Sequence, residues 1–415
     1  MGLYSSFYAS LSGLSANAGS LNVIGNNLAN LNTIGFKQSS GTFQDLFNAS
    51  LGAIGTQGNG NPIQIGLGSR LAAITQNFGQ GSFQSTSNVT DMAISGLGFF
   101  MLQLAGNQGQ AYTRAGNFTL DRNGYLVDPN GNNVIGWNRT GNTLSTNGTP
   151  SAIRINSGVT SPPVPTTAFS STTNLNADAL TGEVYSSPIQ VVDSLGATHT
   201  LLFTYTKTAN PGEWGLAITT DGGATVAGYP ALVQFDASGQ LTTPAANPTL
   251  TITGWTNGAT SPATTWEVFQ GTPPVPSLTG YAAPSATSNV AQDGYGAGTI
   301  RSLTVDQNGI LIGNFTNGQT VSLAQVAMAT FANVNGLRKT GDNTWSETLS
   351  SGSANVGAAN EGGRGTVLGA NLELSNVDVA EEFTKLIIAQ RGYQANGRVV
   401  TTSDELLQET LNLKR

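Results

Sequence analysis

The sequence has 415 residues, with 16 Lys+Arg against 23 Asp+Glu, one His and no Cys. A formal net charge of −7 argues against a nucleic-acid binder, which needs a basic face to displace counterions. The absence of cysteine excludes a disulfide framework, thiolate metal sites and thiol catalysis.

Only 9% of residues are charged, while glycine reaches 53, so the polar surface falls to Asn, Gln, Ser and Thr. The 38% of apolar residues is too many for a disordered chain, and the length suffices for roughly two to four domains. No stretch reads as a membrane span. The most apolar, 92–105, is broken by Ser95, Gly96, Gly98 and Gln103 and falls short of the roughly 18 residues required. No Lys or Arg precedes Lys37, so the basic region of a cleavable signal is missing.

In chain order, residues 3–31 read as one helix. Phe7, Leu11, Leu14, Ala18, Leu21, Gly25 and Leu28 step 4,3,4,3,4,3, the spacing of a coiled-coil seam. The opposite face is Ser and Asn, without charge pairs to support the helix alone in water. Residues 52–68 are rich in Gly, Asn and Gln and read as a connector. A β pattern follows. One unit recurs, at 119–127 and 304–312, with a looser copy at 235–241. Its Asn123-Gly124 and Asn308-Gly309 pairs predict type I′ hairpin turns, where both residues take positive φ.

Pro162, Pro163 and Pro165 mark one edge of an insert, and the proline-rich segment 271–284 marks the other. Strand-like runs lie between them at 189–192, 200–206, 213–219, 250–253 and 266–269. Residues 350–369 read as a second connector. A C-terminal seam then runs through Val379, Phe383, Leu386, Gln390, Tyr393, Gly397, Val400, Asp404, Leu407 and Leu411, with Asp378 and Glu381 spaced as a capping box. The expected fold is mainly β with α-helical termini that pair as a coiled coil around nested, discontinuous β domains. The expected boundaries are 1–33 with 374–415 for the helices, 34–69 with 350–373 for the connectors, 70–148 with 288–349 for an inner β domain, and 149–287 for an inserted outer one. The helix pair reads either as a cap on a globular domain or as a polymerisation element completed by neighbouring copies.

The chain offers no catalytic constellation, and no cofactor or metal is expected. The single His199 lies between Thr198 and Thr200 in a strand-like run and is expected on a solvent face. Residues 128–132 resemble half of a calcium loop but lack the closing Glu, so a turn is expected. Residues 294–298 lack the strand-then-helix context of a phosphate loop. Carboxylate pairs for glycoside hydrolysis need only geometry, and nothing in the sequence points to one.

One motif is specific. Residues 26–37, with Asn26, Asn27, Asn30, Thr33, Gly35, Phe36 and Lys37, closely resemble the N-N-x-A-N-x-x-T-x-G-F-K signature of bacterial flagellar rod and hook proteins. Residues 90–100 (TDMAISGLGFF), 112–118 (YTRAGNF), 374–382 and 388–396 look like further blocks of that family. The large insert and residues 333–345 look like its hook members rather than the shorter rod members.

The resemblance implies a structural subunit, not an enzyme, that assembles with itself into a curved helical tube and transmits motor torque as a universal joint. It implies partners in the rod, the hook cap, the hook–filament junction proteins and the export apparatus, with neither nucleic acid nor membrane insertion. It also implies location in the extracellular flagellar hook, reached through the flagellar export channel without a cleaved signal. Phe43 and Phe47 look like an F-x-x-x-F export-gate element; anchoring of a connector is the alternative reading of the same pair. Another flagellar axial protein, or a secreted β-rich adhesin, is the alternative for the chain.

Overall fold

The computed structural model describes residues 2–46, 48–50, 64–107, 109–141, 143–156 and 158–412. Most of the expected connector 52–68 lies outside the described residues, as does Phe47. The chain is mainly β, with one long helix near each end, as the sequence predicts. It divides into two units, each discontinuous in sequence: Met1–Ser157 with Leu303–Gly313 and Ser322–Arg415, and Gly158–Ser302 with Asn314–Val321.

In the first unit, helix α1 spans Gly2–Ala29 and helix α2 spans Val379–Asn412. Asp378 caps α2, its Oδ1 accepting from the backbone N–H groups of Ala380 (2.8 Å) and Glu381 (3.0 Å). The expected box is only half made, because Glu381 pairs with Lys385 at 2.8 Å instead. An antiparallel pair, Ser39–Asp45 with Ser69–Gln76, runs beside α1.

The main sheet of this unit includes the strand order Asn133–Asn138, Phe99–Gln103, Gln110–Thr113, Thr344–Ser346 and Arg338–Gly341, each paired antiparallel with the next. Its core joins Phe99, Met101, Tyr112, Trp137 and Trp345. Segment 350–373, expected as a connector, is built into ladders. Asn355–Gly357 pairs with Met328–Thr330, Thr366–Gly369 with Met92–Ser95, and Asn371–Glu373 with Phe83–Ser85. Main-chain hydrogen bonds to these neighbours fix what composition alone left adaptable.

The second unit is a sandwich of two sheets. One orders Val184–Val192, Thr198–Lys207, Glu213–Thr220, Leu232–Phe235 and Leu241–Thr243. The other centres on Ala168–Asn174, which pairs in parallel with Thr264–Trp266 and antiparallel with Ala286–Gln292. Alternate residues of both sheets, among them Phe169, Phe203, Trp214 and Trp266, share one core. The expected run 266–269 is split between Thr264–Trp266 and Phe269–Gln270.

His199 does not face solvent. Its side chain is only 12% exposed, its Nε2 lies 2.9 Å from Asp193 Oδ2, and its ring stacks on Trp255 at 3.8 Å. The flanking threonines suggested a solvent face, but the buried positions of this strand are Leu201, Phe203, Tyr205 and Lys207. Alternation puts His199 on their side, where the Asp193 carboxylate and the Trp255 indole supply its partners.

The expected type I′ turns are also absent. Asn123 and Asn308 keep negative φ, and only Gly124 and Gly309 are positive. The organising residue is the preceding Asp. Oδ1 of Asp121, Asp128, Asp193, Asp236 and Asp306 each accepts two backbone N–H groups, two and four residues on, at 2.7–3.0 Å. Each turn has a positive-φ glycine three residues after its Asp. The half calcium loop at 128–132 is one of these turns, its Asp128 carboxylate also accepting from Asn132 Nδ2 at 2.9 Å.

Candidate assembly interface

The N-terminal signature closes the end of α1 onto the start of α2. Asn27 is fully buried. Its Nδ2 donates to Ser39 O (2.8 Å) and Glu382 Oε2 (3.0 Å), and its Oδ1 accepts from Ser39 N (2.9 Å). Gln38 Nε2 and Lys385 Nζ donate to Glu382 Oε1 at 2.8 and 3.0 Å. Burial pushes the Glu382 carboxyl up, but donation from Asn27, Lys385 and Gln38 outweighs it and holds Glu382 below its ordinary range. Asn376 joins the same layer, accepting from Gln38 N at 2.8 Å and donating to Asn77 O at 2.8 Å.

The second half of the signature is charged. Lys37 Nζ donates to Gly79 O (2.8 Å) and Glu373 Oε1 (2.6 Å). Arg114, from the YTRAGNF block, reaches Glu373 Oε2 at 3.4 Å and Gly96 O at 2.8 Å. Burial lowers the Lys37 and Arg114 pKa values, only partly offset by the shared carboxylate. Gly35 donates its N–H to Glu373 O at 2.7 Å and takes φ +68, and a Cβ there would lie 2.5 Å from Ala115 N. Phe36 is buried with Lys339 Nζ over its ring at 4.6 Å. Asn26 and Asn30 stay at the helix end, where Asn30 Nδ2 donates to Asn26 O (2.9 Å) and Asn30 Oδ1 accepts from Thr33 Oγ1 (3.1 Å).

The two helices meet, but the contact face is one residue off the expected seam. On α1 it carries Ser10, Gly13, Asn17, Ser20, Ile24 and Asn27, each one before a predicted position. On α2 Glu382, Ala389, Asn396 and Ser403 replace Phe383, Gln390, Gly397 and Asp404. The backbones approach closely: a Cβ on Gly13 would lie 2.7 Å from Asn396 Nδ2, and one on Gly392 would lie 3.0 Å from Asn17 Oδ1. Small and polar side chains therefore fill the contact, and the apolar stripe is left beside it.

Leu11 is 49% exposed, Phe383 51% and Ile388 65%, with Val379 and Tyr393 also exposed. Phe7, Leu14, Leu21, Leu28, Leu386, Val400 and Leu407 are half-buried at the margin. The side chain of Leu411 lies outside the described residues. Phe43 is exposed beside a groove lined by Ser20, Ile24, Glu382 and Ile388. No helix among the described residues is long and apolar enough to cross a membrane.

Family profiles match four stretches of the chain. Residues 7–37 match the flagella basal body rod protein, and 93–168 the flagellar hook protein FlgE/F/G D1 domain. Residues 156–295 match the flagellar basal body protein FlaE D2 domain, and 369–413 the flagellar basal body rod FlgEFG protein C-terminal region. Flagellar hook protein FlgE of Escherichia coli strain K12 is 34% identical, over 98% of this chain and 100% of its own. That of Borreliella burgdorferi is 33% identical over 99% of each. The chain belongs to the flagellar hook protein FlgE family. A solved structure of Helicobacter pylori flagellar hook protein FlgE2 aligns over 70% of this chain and 100% of its own, at 16% identity and a TM-score of 0.48.

Within this FlgE-family chain the signature residues Asn27, Gly35, Phe36 and Lys37 are structural keys to one junction. Sequence reading did not single out Glu373, Glu382 or Gln38. The signal for the first two was a carboxylate in a chain with few of them, Glu373 just before the matched 374–382 block and Glu382 at its end.

Proposed function

We propose that the chain is the structural subunit of the bacterial flagellar hook and assembles with copies of itself into a curved helical tube that carries torque from rod to filament. The observation that supports this most directly is the apolar stripe left uncovered on α1 and α2. A helix pair that already has a close intrachain contact needs no second apolar face unless another copy covers it. The seam leucines and aromatics, from Phe7 to Leu28 and from Val379 to Leu411, are then contacts between copies.

In this reading the terminal helices (1–33, 374–415) form the tube's inner layer, segments 34–69 and 350–373 link them outward, and the inner (70–148, 288–349) and outer (149–287) β regions form the outside. The partners at either end are rod, cap and junction proteins, and the route is the flagellar export channel, with Phe43 and Phe47 as its gate element. Uncharged Ser, Thr, Asn and Gln faces favour a joint, because exchanging such contacts carries a small desolvation cost.

The test substitutes Leu11→Asp and Ile388→Asp in the full chain. Both side chains face solvent in the single chain, so the monomer's unfolding midpoint is expected to stay unchanged. Electron microscopy under polymerising conditions is expected to show curved tubes for the parent and none for the variant. Tubes of parental form from the variant would refute the stripe as a contact between copies.

A further inference from the structure

The sequence holds nine Asn-Gly pairs. One, Asn59-Gly60, lies outside the described residues. Such pairs are chemically labile when the glycine nitrogen is free to attack the preceding side-chain amide, since glycine has no Cβ to hinder closure. In six of the pairs that nitrogen is tied to a carbonyl three residues back. Gly124 donates to Asp121, Gly131 to Asp128, Gly258 to Trp255, Gly309 to Asp306, Gly318 to Phe315 and Gly336 to Asn333, at 3.0–3.1 Å. Gly397 lies inside α2, where its nitrogen is held by the helix. Asn147-Gly148 differs. It sits exposed in a bend, and among the described residues the Gly148 N–H meets no acceptor.

We propose that Asn147 is a built-in deamidation site of the folded chain, a modification its Asp-anchored turns suppress at Asn123, Asn130 and Asn308. The Gly148 nitrogen bonds to Asn147 Cγ and gives up its proton, while the Cγ–Nδ2 bond breaks and ammonia leaves. Water then opens the succinimide at either carbonyl, leaving Asp or isoaspartate. Either product adds a negative charge. The isoaspartate also lengthens the main chain next to Gly148 O, which accepts from the buried Trp137 indole Nε1 at 2.7 Å. The loop therefore changes charge and anchoring with subunit age.

The test holds full-length protein in mildly alkaline buffer and follows each Asn-Gly peptide by mass spectrometry, folded and in urea. Expected in the folded protein is gain of one mass unit at Asn147 several-fold faster than at Asn123, Asn130 or Asn308, with the difference lost in urea. A folded rate at Asn147 no faster than at those three overturns the proposal. The variant Gly148→Ala checks the chemistry. Its Cβ meets nothing within 4 Å, so the fold is expected to be kept. Asn147 is expected to stay intact in it, and conversion at the parental rate would rule out closure by the Gly148 nitrogen.

Discussion

Lys37 Nζ lies 2.6 Å from Glu373 Oε1, with both side chains fully buried although 336 positions separate them. Arg114 shares the same carboxylate, so one buried anion balances two cations. Removing the anion alone is the costly change, because both cations lose their counter-charge out of water. Glu373→Gln is expected to cost about 3 kcal/mol or more. Lys37→Met, which leaves Arg114 and Glu373 paired, is expected to cost less. Urea unfolding of the full chain, followed by tryptophan fluorescence, orders the two, and the reverse order would refute the shared-anion arrangement.

Acid is expected to unfasten two carboxylates. Burial pushes Asp193 up, but donation from Asn257, His199 and the backbone of Ala197 and Leu195 holds it down to about 2. An unfolded Asp titrates near about 3.9. The folded value is the lower, so the stabilisation is full above the unfolded value and drains away as pH falls through the folded one. Glu382 shifts in the same direction. Urea midpoints measured between about pH 5 and pH 2 are expected to fall in the parent, and to fall less steeply in Asp193→Asn, which no longer titrates. Equal slopes for the two proteins would contradict the assignment to Asp193.

The Asp-anchored turns separate backbone strain from crowding. Gly131 takes φ +83 with open space where a Cβ would go, whereas Gly124 takes φ +82 and its Cβ would overlap Ile155 O. Gly131→Ala is expected to cost only the left-handed conformation, about 1–2 kcal/mol. Gly124→Ala carries the same strain plus a backbone clash, so its midpoint is expected to fall further in thermal unfolding. Equal losses would mean that the loop moves away freely.

What the sequence revealed was local, and what it hid was long-range. The helices and the insert's strand-like runs at 189–192, 200–206, 213–219 and 250–253 follow from periodicity, capping and turn residues within a few positions of each other, and the 26–37 signature follows from its resemblance to the flagellar rod and hook family. The partners of that signature do not. Glu373 and Glu382 lie over 300 residues from Lys37 and Asn27, and neither carboxylate's neighbours hint at burial. The seam was read from leucines because apolar residues at heptad spacing normally mark the closest contact. Here glycine, alanine, serine and asparagine hold the nearest approach, and an apolar stripe carries no sign of whether its own chain or another covers it. The turns were assigned to Asn-Gly because that pair is conspicuous, while the Asp two residues earlier does the anchoring.

That separation of faces leads to a paired test on α1. Gly13 sits in the close contact with α2, and Gly25, on the predicted leucine stripe, has nothing within 4 Å of a would-be Cβ. Gly13→Leu is expected to force the helices apart, because a branched side chain cannot fit where Asn396 already stands. The readout is faster limited proteolysis within α2 of the monomer. Gly25→Leu is expected to leave that cleavage unchanged, or slow it, since replacing an exposed helical glycine gains up to about 1 kcal/mol of helix propensity. Its effect should appear only when tubes form, as altered length or curvature in electron microscopy, because the new side chain projects where a second copy would pack. If Gly25→Leu loosens the monomer's helices as much as Gly13→Leu does, the contact face within the chain has been assigned to the wrong side of α1.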